Sequence, residues 1–406
     1  MIVLADVGLL DRDSGGVVSH DIGIDGETVC WIGLAGGDRP DSAEIVDGSG
    51  KLAIPGLVNA HTHSHAVAMR GLADRWCLEM SLAYAPWAVE AQDDELIYWT
   101  AYIGAAEMAL GGVTACYDLV LLRPPLTARA FSLVAQAYSD IGLRAVLAPM
   151  VSDVSLYDAV PGVKESMPAE AAARADRYRP APAVDTLAAC RDVFQGWAFD
   201  PAFVKPAIAP TILNHCTPDF LDGCLALKKE FGLQVHMHVA ESALQRHTGE
   251  RLYGHSLVAE LASRGVLGPD FCAAHCVWID ADDRARLADS GAAMAHIPVS
   301  NLRLGAGVAP IVAARERGIP IGLATDGGNS ADALSMFEVM KQATLVSRLH
   351  GGHRPEEWLS AHDALAMATE GGAGLVQFPG VTGRLEEGAA ADITLLDLGS
   401  FAFTPL

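Results

Sequence analysis

Between Pro55 and about residue 325 the chain repeats one pattern, a short apolar run followed by a helical stretch, and few folds accept that pattern eight times. The apolar runs predict strands over residues 56–60, 113–117, 144–151, 204–210, 234–239, 271–276, 292–297 and 319–325. Helical periodicity falls between them, at 94–110, 127–141, 218–231, 280–289, 308–317 and 331–349. Eight parallel strands with intervening helices close most simply into an α/β (β/α)8 TIM-like barrel, whose active site lies at the C-terminal ends of the strands. An open doubly wound sheet is the alternative, but no glycine-rich dinucleotide fingerprint follows the first strand.

Residues 1–54 read differently. Strand-like pieces at 2–5, 16–24, 28–34 and 44–47 are punctuated by glycine and aspartate turns. A last β segment, 383–396, is expected to pair with them. The expected organisation is therefore a small β-sandwich domain built from 1–54 and 381–406, flanking a hydrolase barrel over 55–380. The chain stops at Pro405-Leu406, so the β domain is expected to be abbreviated or to lack a piece. The Pro- and Ala-rich stretch 161–182 is expected to form an extended surface insertion between strands three and four.

A length of 406 residues with 51% hydrophobic content supports a sizeable core. The formal charge of -22 repels phosphate backbones and anionic lipid surfaces, which leaves small molecules as partners rather than nucleic acid or membrane. A homo-oligomer is compatible with this composition. Eight cysteines without C-x-x-C pairs suit reduced thiols. The N-terminus has no basic region ahead of a long apolar segment, so a soluble, cytoplasmic protein is expected.

The chemistry-bearing residues gather where a barrel would bring them together. His61 and His63 occupy alternate positions at the end of the first strand, so they share a face and can reach one metal ion. Strand five offers His238 with Glu241 just beyond it; strand six offers His275; strand eight ends in Asp326. Three histidines and a carboxylate with room for water form a catalytic mononuclear centre for one divalent metal per chain, zinc first and iron(II) second. His236 shares the face of His238 one step deeper and reads as a core or supporting residue. Glu241 reads alternatively as the cap of the following helix. Cys272 and Cys276 read as small buried strand residues. Lys205 lies six residues before Thr211, roughly 20 Å from the rim, too deep to bridge two metals.

The runs Pro55 to His63, Met69-Arg70-Gly71-Leu72, His238-Val239-Ala240-Glu241, Ala274-His275-Cys276, Pro298-Val299-Ser300-Asn301 and Thr325-Asp326-Gly327, with the terminal 383–396 segment, resemble the amidohydrolase superfamily. The resembling branch contains cytosine, guanine and S-adenosylhomocysteine deaminases and the triazine hydrolases. The resemblance implies His61, His63, His238 and Asp326 as metal ligands, Glu241 as the proton-shuttling carboxylate and His275 as the contact of the attacking water. The physical roles agree: a divalent cation makes water a nucleophile near neutral pH, Asp326 accepts its proton, and Glu241 protonates the ring nitrogen beside the attacked carbon and then the leaving amine. Relatives usually continue past the point where this chain ends. In the S-adenosylhomocysteine deaminases strand four carries G-P-H-S-P-Y-x-C-S, with a histidine that touches substrate. Here Thr211 replaces it, while His215 follows in the loop. His65, Thr211 and Trp76, whose indole could stack on a heterocycle, are the candidate substrate contacts. Hydrolytic deamination of a purine, pyrimidine, pterin or nucleoside-like heterocycle is the leading expectation. Removal of chloride, alkylamine or an imino nitrogen from triazine or amidine compounds is the alternative. A barrel retained for binding or assembly without catalysis is the third.

Overall fold

The structure, a computed structural model, describes the chain apart from residues 12–15, 73, 89–91, 123–125, 351–353 and 404–406, so the end at Pro405-Leu406 lies outside the described residues. Eight parallel barrel strands close on themselves. Strand one is Leu57–His63, strand two Val113–Val120 and strand three Arg144–Val151, paired in that order. Strand four comes in two pieces, Val204–Pro206 and Ala209–Pro210, both against strand three. Strands five to seven, Val235–Val239, Phe271–His275 and Ala293–His296, continue the order. Strand eight is also split: Ile321–Leu323 pairs with strand seven, and Asp326–Gly327 pairs with Thr62 and His63 of strand one. The bridges Ile208 to Val235 and Ile212 to His238 seal the remaining seam.

Helices Asp94–Leu110 and Pro218–Phe231 start at side-chain caps, Asp93 and Thr217, whose oxygens accept the otherwise unpaired N–H of Leu96 and Phe220. Their buried faces pack on the outer surface of the barrel with Leu57, Phe131, Leu147, Met237 and Phe271. Inside the barrel many side chains are small, with Ala60, Ala115, Ala148, Ala209, Ala274, Ala295 and Ala324 buried beside larger ones such as Tyr117. Small residues in the interior leave space for rings, and histidines fill it.

The N- and C-terminal segments meet in one six-stranded mixed sheet. Ile2–Leu10 pairs with Val17–Asp25 on one side, and on the other with Glu44–Asp47 and then Lys51–Pro55. Ile393–Asp397 adds antiparallel to Lys51–Pro55, which realises the expected pairing of the two ends. The expected sandwich is thus a continuous sheet over its own small core of Leu4, Val7, Ile22, Val29 and Ala53. The stretch 161–182 is not extended: it folds into the short helices Lys164–Ser166, Ala169–Ala175 and Asp176–Tyr178, tied by Lys164 to Asp176 at 2.5 Å. Among the described residues no helix is long and apolar enough to cross a membrane.

Candidate active site

Alternation alone does not bring His61 into the barrel. Leu57 packs outward and Asn59 Nδ2 reaches Met108 of the helix behind the strand, whereas His61 meets His236 inside. An irregularity in the pairing of strands one and two falls between Asn59 and Thr62 and re-aims the strand end. The other strand ends use left-handed backbone for the same purpose. Ala240, His275, Cys276 and Asp326 have φ of 47°, 68°, 51° and 69°, costing on the order of 1–3 kcal/mol each. This strain places Glu241, His275 and Asp326 over the barrel mouth.

His61, His63 and His238 each present a ligand atom within 4.8 Å of the others, and Glu241, His275 and Asp326 form a second such group, all buried. His63 Nδ1 lies 2.7 Å from the Leu119 carbonyl oxygen and His238 Nδ1 lies 2.9 Å from that of Thr211. A carbonyl only accepts, so both Nδ1 atoms carry the proton, and in the neutral rings both Nε2 atoms are lone pairs. Those lone pairs face each other at 3.2 Å, with Asp326 Oδ1 3.2 Å from His63 Nε2 and 3.7 Å from His61 Nε2. His61 Nε2 is buried without a hydrogen-bond partner among the described residues. Such a convergence of acceptors fits a divalent cation held by nitrogen and carboxylate donors, and this is a metal-binding histidine site.

Burial and the neighbouring rings push His238 down to about 3 and His61 well below the ordinary imidazole range, so both favour the neutral, ligating form. Burial works to raise the Asp326 carboxyl, but its net shift is downward, with the bond from the Ser300 hydroxyl among the causes that lower it. Ser300 Oγ donates to Asp326 Oδ2 at 2.5 Å, which leaves Oδ1 toward the histidines. Beside Ser300, Asn301 Oδ1 lies 2.8 Å from His275 Nδ1, so the His275 Nε2 edge faces Glu241 Oε2 at 3.7 Å. Glu241 is 2% exposed, and its pKa is raised well above the usual carboxyl range by burial first and by Asp326 second. It is not the cap of the next helix; Ser242 is.

These groups form the floor of a cavity of about 170 Å³. Its walls are apolar, with Met69, Leu78, Leu82, Leu121, Met150 and Leu304, and Gln92 and Asn329 are among its polar groups. His65 and Thr211 line it as expected. His65 Nδ1 accepts from the Leu121 N–H at 3.2 Å, and the Thr211 carbonyl also fixes the His238 ring. Trp76 does not line it, because its ring packs on Tyr84 at a centroid distance of 5.5 Å. His215 also lies outside the lining, in the turn Leu213–His215. Cys272 and Cys276 are free, buried thiols. Lys205 pairs with Val146 near the start of strand three, and its ammonium donates to the Gln377 carbonyl and lies 3.7 Å from the Phe378 ring centre, at the end of the barrel opposite the site. Ser300 and Asn301 stand in one of the resembling runs, but no role was expected for either. Two adjacent polar residues behind a helix-opening proline, between two buried strands, are the signal that marks them.

The sequence model of the amidohydrolase family matches residues 52–405. The 5-methylthioadenosine/S-adenosylhomocysteine deaminase of Symbiobacterium thermophilum is 32% identical over 99% of this chain and 85% of its own length. The 5'-deoxyadenosine deaminase of Methanothermobacter thermautotrophicus is 31% identical over 97% of this chain and 84% of its own. Among solved structures, the zinc complex of atrazine chlorohydrolase TrzN from Arthrobacter aurescens TC1 superposes with a TM-score of 0.85 at 27% identity, covering 100% of this chain and 89% of that one. Since the family match runs across every strand that carries a site residue, the chain belongs to the amidohydrolase family.

Proposed function

We propose that this protein is a metal-dependent aminohydrolase that deaminates an adenine nucleoside with an uncharged 5' position, of the 5'-methylthioadenosine or 5'-deoxyadenosine type. The observation that carries the reading is a buried, proton-holding carboxyl, Glu241, set against a ligand set of three histidines and an ionised aspartate at the floor of an apolar cavity. Relatives at 31–32% identity that act as adenosine-type deaminases support it. His61, His63, His238 and Asp326 would hold one divalent ion, and zinc suits this donor set. When bound, the ion lowers the pKa of water toward neutrality and withdraws charge from the developing oxyanion.

The chain's own residues supply the rest. Glu241, kept protonated by burial, donates to the ring nitrogen beside the amino-bearing carbon, which makes that carbon electrophilic. Asp326 takes a proton from the attacking water. His275, oriented by Asn301, holds the oxygen on the attacking line. Glu241, left ionised, takes the proton of the added hydroxyl and passes it to the amine as the C–N bond breaks, and the proton held on Asp326 then restores the acid form of Glu241. Amino heterocycle and water become oxo heterocycle and ammonia.

A second reading, displacement of a substituent from a triazine ring, is favoured by one observation: Thr211 lines the cavity where strand four of the S-adenosylhomocysteine deaminases carries a substrate-touching histidine. The test is ammonia release by the zinc-loaded enzyme from 5'-methylthioadenosine, 5'-deoxyadenosine, adenosine, S-adenosylhomocysteine and aminotriazines. Release from the 5'-modified adenosines, abolished in Asp326→Ala and reduced roughly 100-fold or more in Glu241→Gln, is the expected result. Normal turnover in either variant, or release from triazines alone, would overturn the reading.

A further inference from the structure

The three ligand histidines are not held alike. His63 and His238 donate their Nδ1 protons to main-chain carbonyls, of Leu119 and Thr211. Among the described residues no carbonyl meets His61 Nδ1. That nitrogen lies 3.2 Å from Nε2 of His236, another imidazole, and both residues are fully buried. The His236 ring is itself packed edge-on to Tyr117, with centroids 4.5 Å apart at 88°.

Two proton arrangements satisfy that contact. In one, His61 Nδ1–H donates to His236 Nε2, and the proton of His236 resides on Nδ1. In the other, His236 Nε2–H donates to His61 Nδ1, which then places the remaining proton of His61 on Nε2, the atom aimed at Asp326. Only the first leaves His61 with a lone pair toward the metal position. His236 Nδ1 is buried and has no partner among the described residues, so no described group there selects between the two arrangements, and a metal held on His61 Nε2 would select the first.

We propose that His236 is the positioning residue of the metal centre: by accepting the Nδ1 proton of His61 it fixes that ring's tautomer and aim, a task the main chain performs for the other two ligands. The inference rests on His61 being a ligand. It holds for whichever substrate the site takes. It also makes His61 the one ligand histidine whose support a side-chain substitution can remove. Partners of this kind are typically worth roughly 10–100-fold in metal affinity.

Zinc affinity is measured by chelator competition for wild type, His61→Ala, His236→Phe and His236→Gln, with melting of each metal-free protein as the fold control. Phenylalanine keeps the ring volume and removes the acceptor; glutamine restores an acceptor oxygen. Expected are a roughly 10–100-fold weaker affinity in His236→Phe and recovery toward wild type in His236→Gln. Wild-type affinity in His236→Phe overturns the inference, and so does equal weakening in both variants, which would mean that ring shape alone matters. Undiminished zinc binding in His61→Ala instead overturns the ligand assignment beneath it. A second readout needs no substitution: in 15N-histidine spectra of the zinc-loaded protein, both His61 and His236 are expected to carry their proton on Nδ1. A proton on His236 Nε2 overturns the inference.

Discussion

At the residue scale Glu241 carries the sharpest consequence, because the same burial that suits it to hold a proton makes its ionised form costly. Its folded pKa lies above the unfolded value of about 4.3. The folded state therefore binds the proton more tightly, and the favourable contribution present at low pH is lost as pH rises through the raised pKa. Glu241→Gln removes the titration while keeping the shape and the reach of a polar terminus. The metal-free Glu241→Gln protein is expected to melt above metal-free wild type at pH 8, with the gap closing toward pH 4. A gap that is constant across this range, or reversed, would show that Glu241 is not held protonated by the fold. Activity of the zinc-loaded wild type should fall on the alkaline side for the same reason, since the deprotonated carboxylate has nothing to donate.

At the scale of elements, the split eighth strand brings Gly327 against strand one so closely that no side chain fits. A Cβ there would lie 2.6 Å from Asn329 Oδ1, 2.9 Å from Ala66 Cβ and 3.1 Å from His63 Cβ. Gly327→Ala is expected to push on the ligand-bearing end of strand one, costing about 1–3 kcal/mol in stability and weakening zinc together with it. Thermal melts of metal-free and zinc-loaded protein check both, and an unchanged zinc affinity would show that the strand end absorbs the displacement.

The same split explains what the sequence could and could not disclose. Strand three, Arg144–Val151, and the helices Asp94–Leu110 and Pro218–Phe231 have the predicted bounds, because an apolar run or a side-chain-capped helix declares its own ends. Strands four and eight break where the pairing changes partner or carries prolines at 206 and 210, and an unbroken apolar run records neither. The strand Lys51–Pro55 was missed because its partner lies more than 330 residues away, at Ile393–Asp397. In the site, His61, His63, His238, Glu241, His275 and Asp326 were legible as chemistry at strand ends. The inward turn of His61, the left-handed residues and the buttressing roles of Ser300 and Asn301 were not, since each is a property of backbone geometry or of a contact across the fold.

At the scale of the whole molecule, the proposed ligands sit across the barrel's seams. Strands one to four, with the Asp326–Gly327 piece, hydrogen-bond as one sheet, and strand five through Ile321–Leu323 as another. On one side they are joined by two isolated bridges, Ile208 to Val235 and Ile212 to His238. On the other, strand eight passes from one sheet to the other between Leu323 and Asp326. An ion held by His61 and His63 of strand one, His238 of strand five and Asp326 of strand eight therefore spans both joins at once. Binding to the folded state at about 1,000 times its dissociation constant is worth roughly 4 kcal/mol. For a chain of 406 residues with about 2.1 cal/mol/K of unfolding entropy per residue, that is a shift of roughly 5 °C. Chelation should lower the melting temperature by about this amount. It should also raise amide exchange first in Leu57–His63, Val235–Val239 and Asp326–Gly327, while Arg144–Val151, inside one sheet, keeps its protection. Exchange that rises evenly over all eight strands would mean that the ion stabilises the barrel only through mass action and does not clamp the seams.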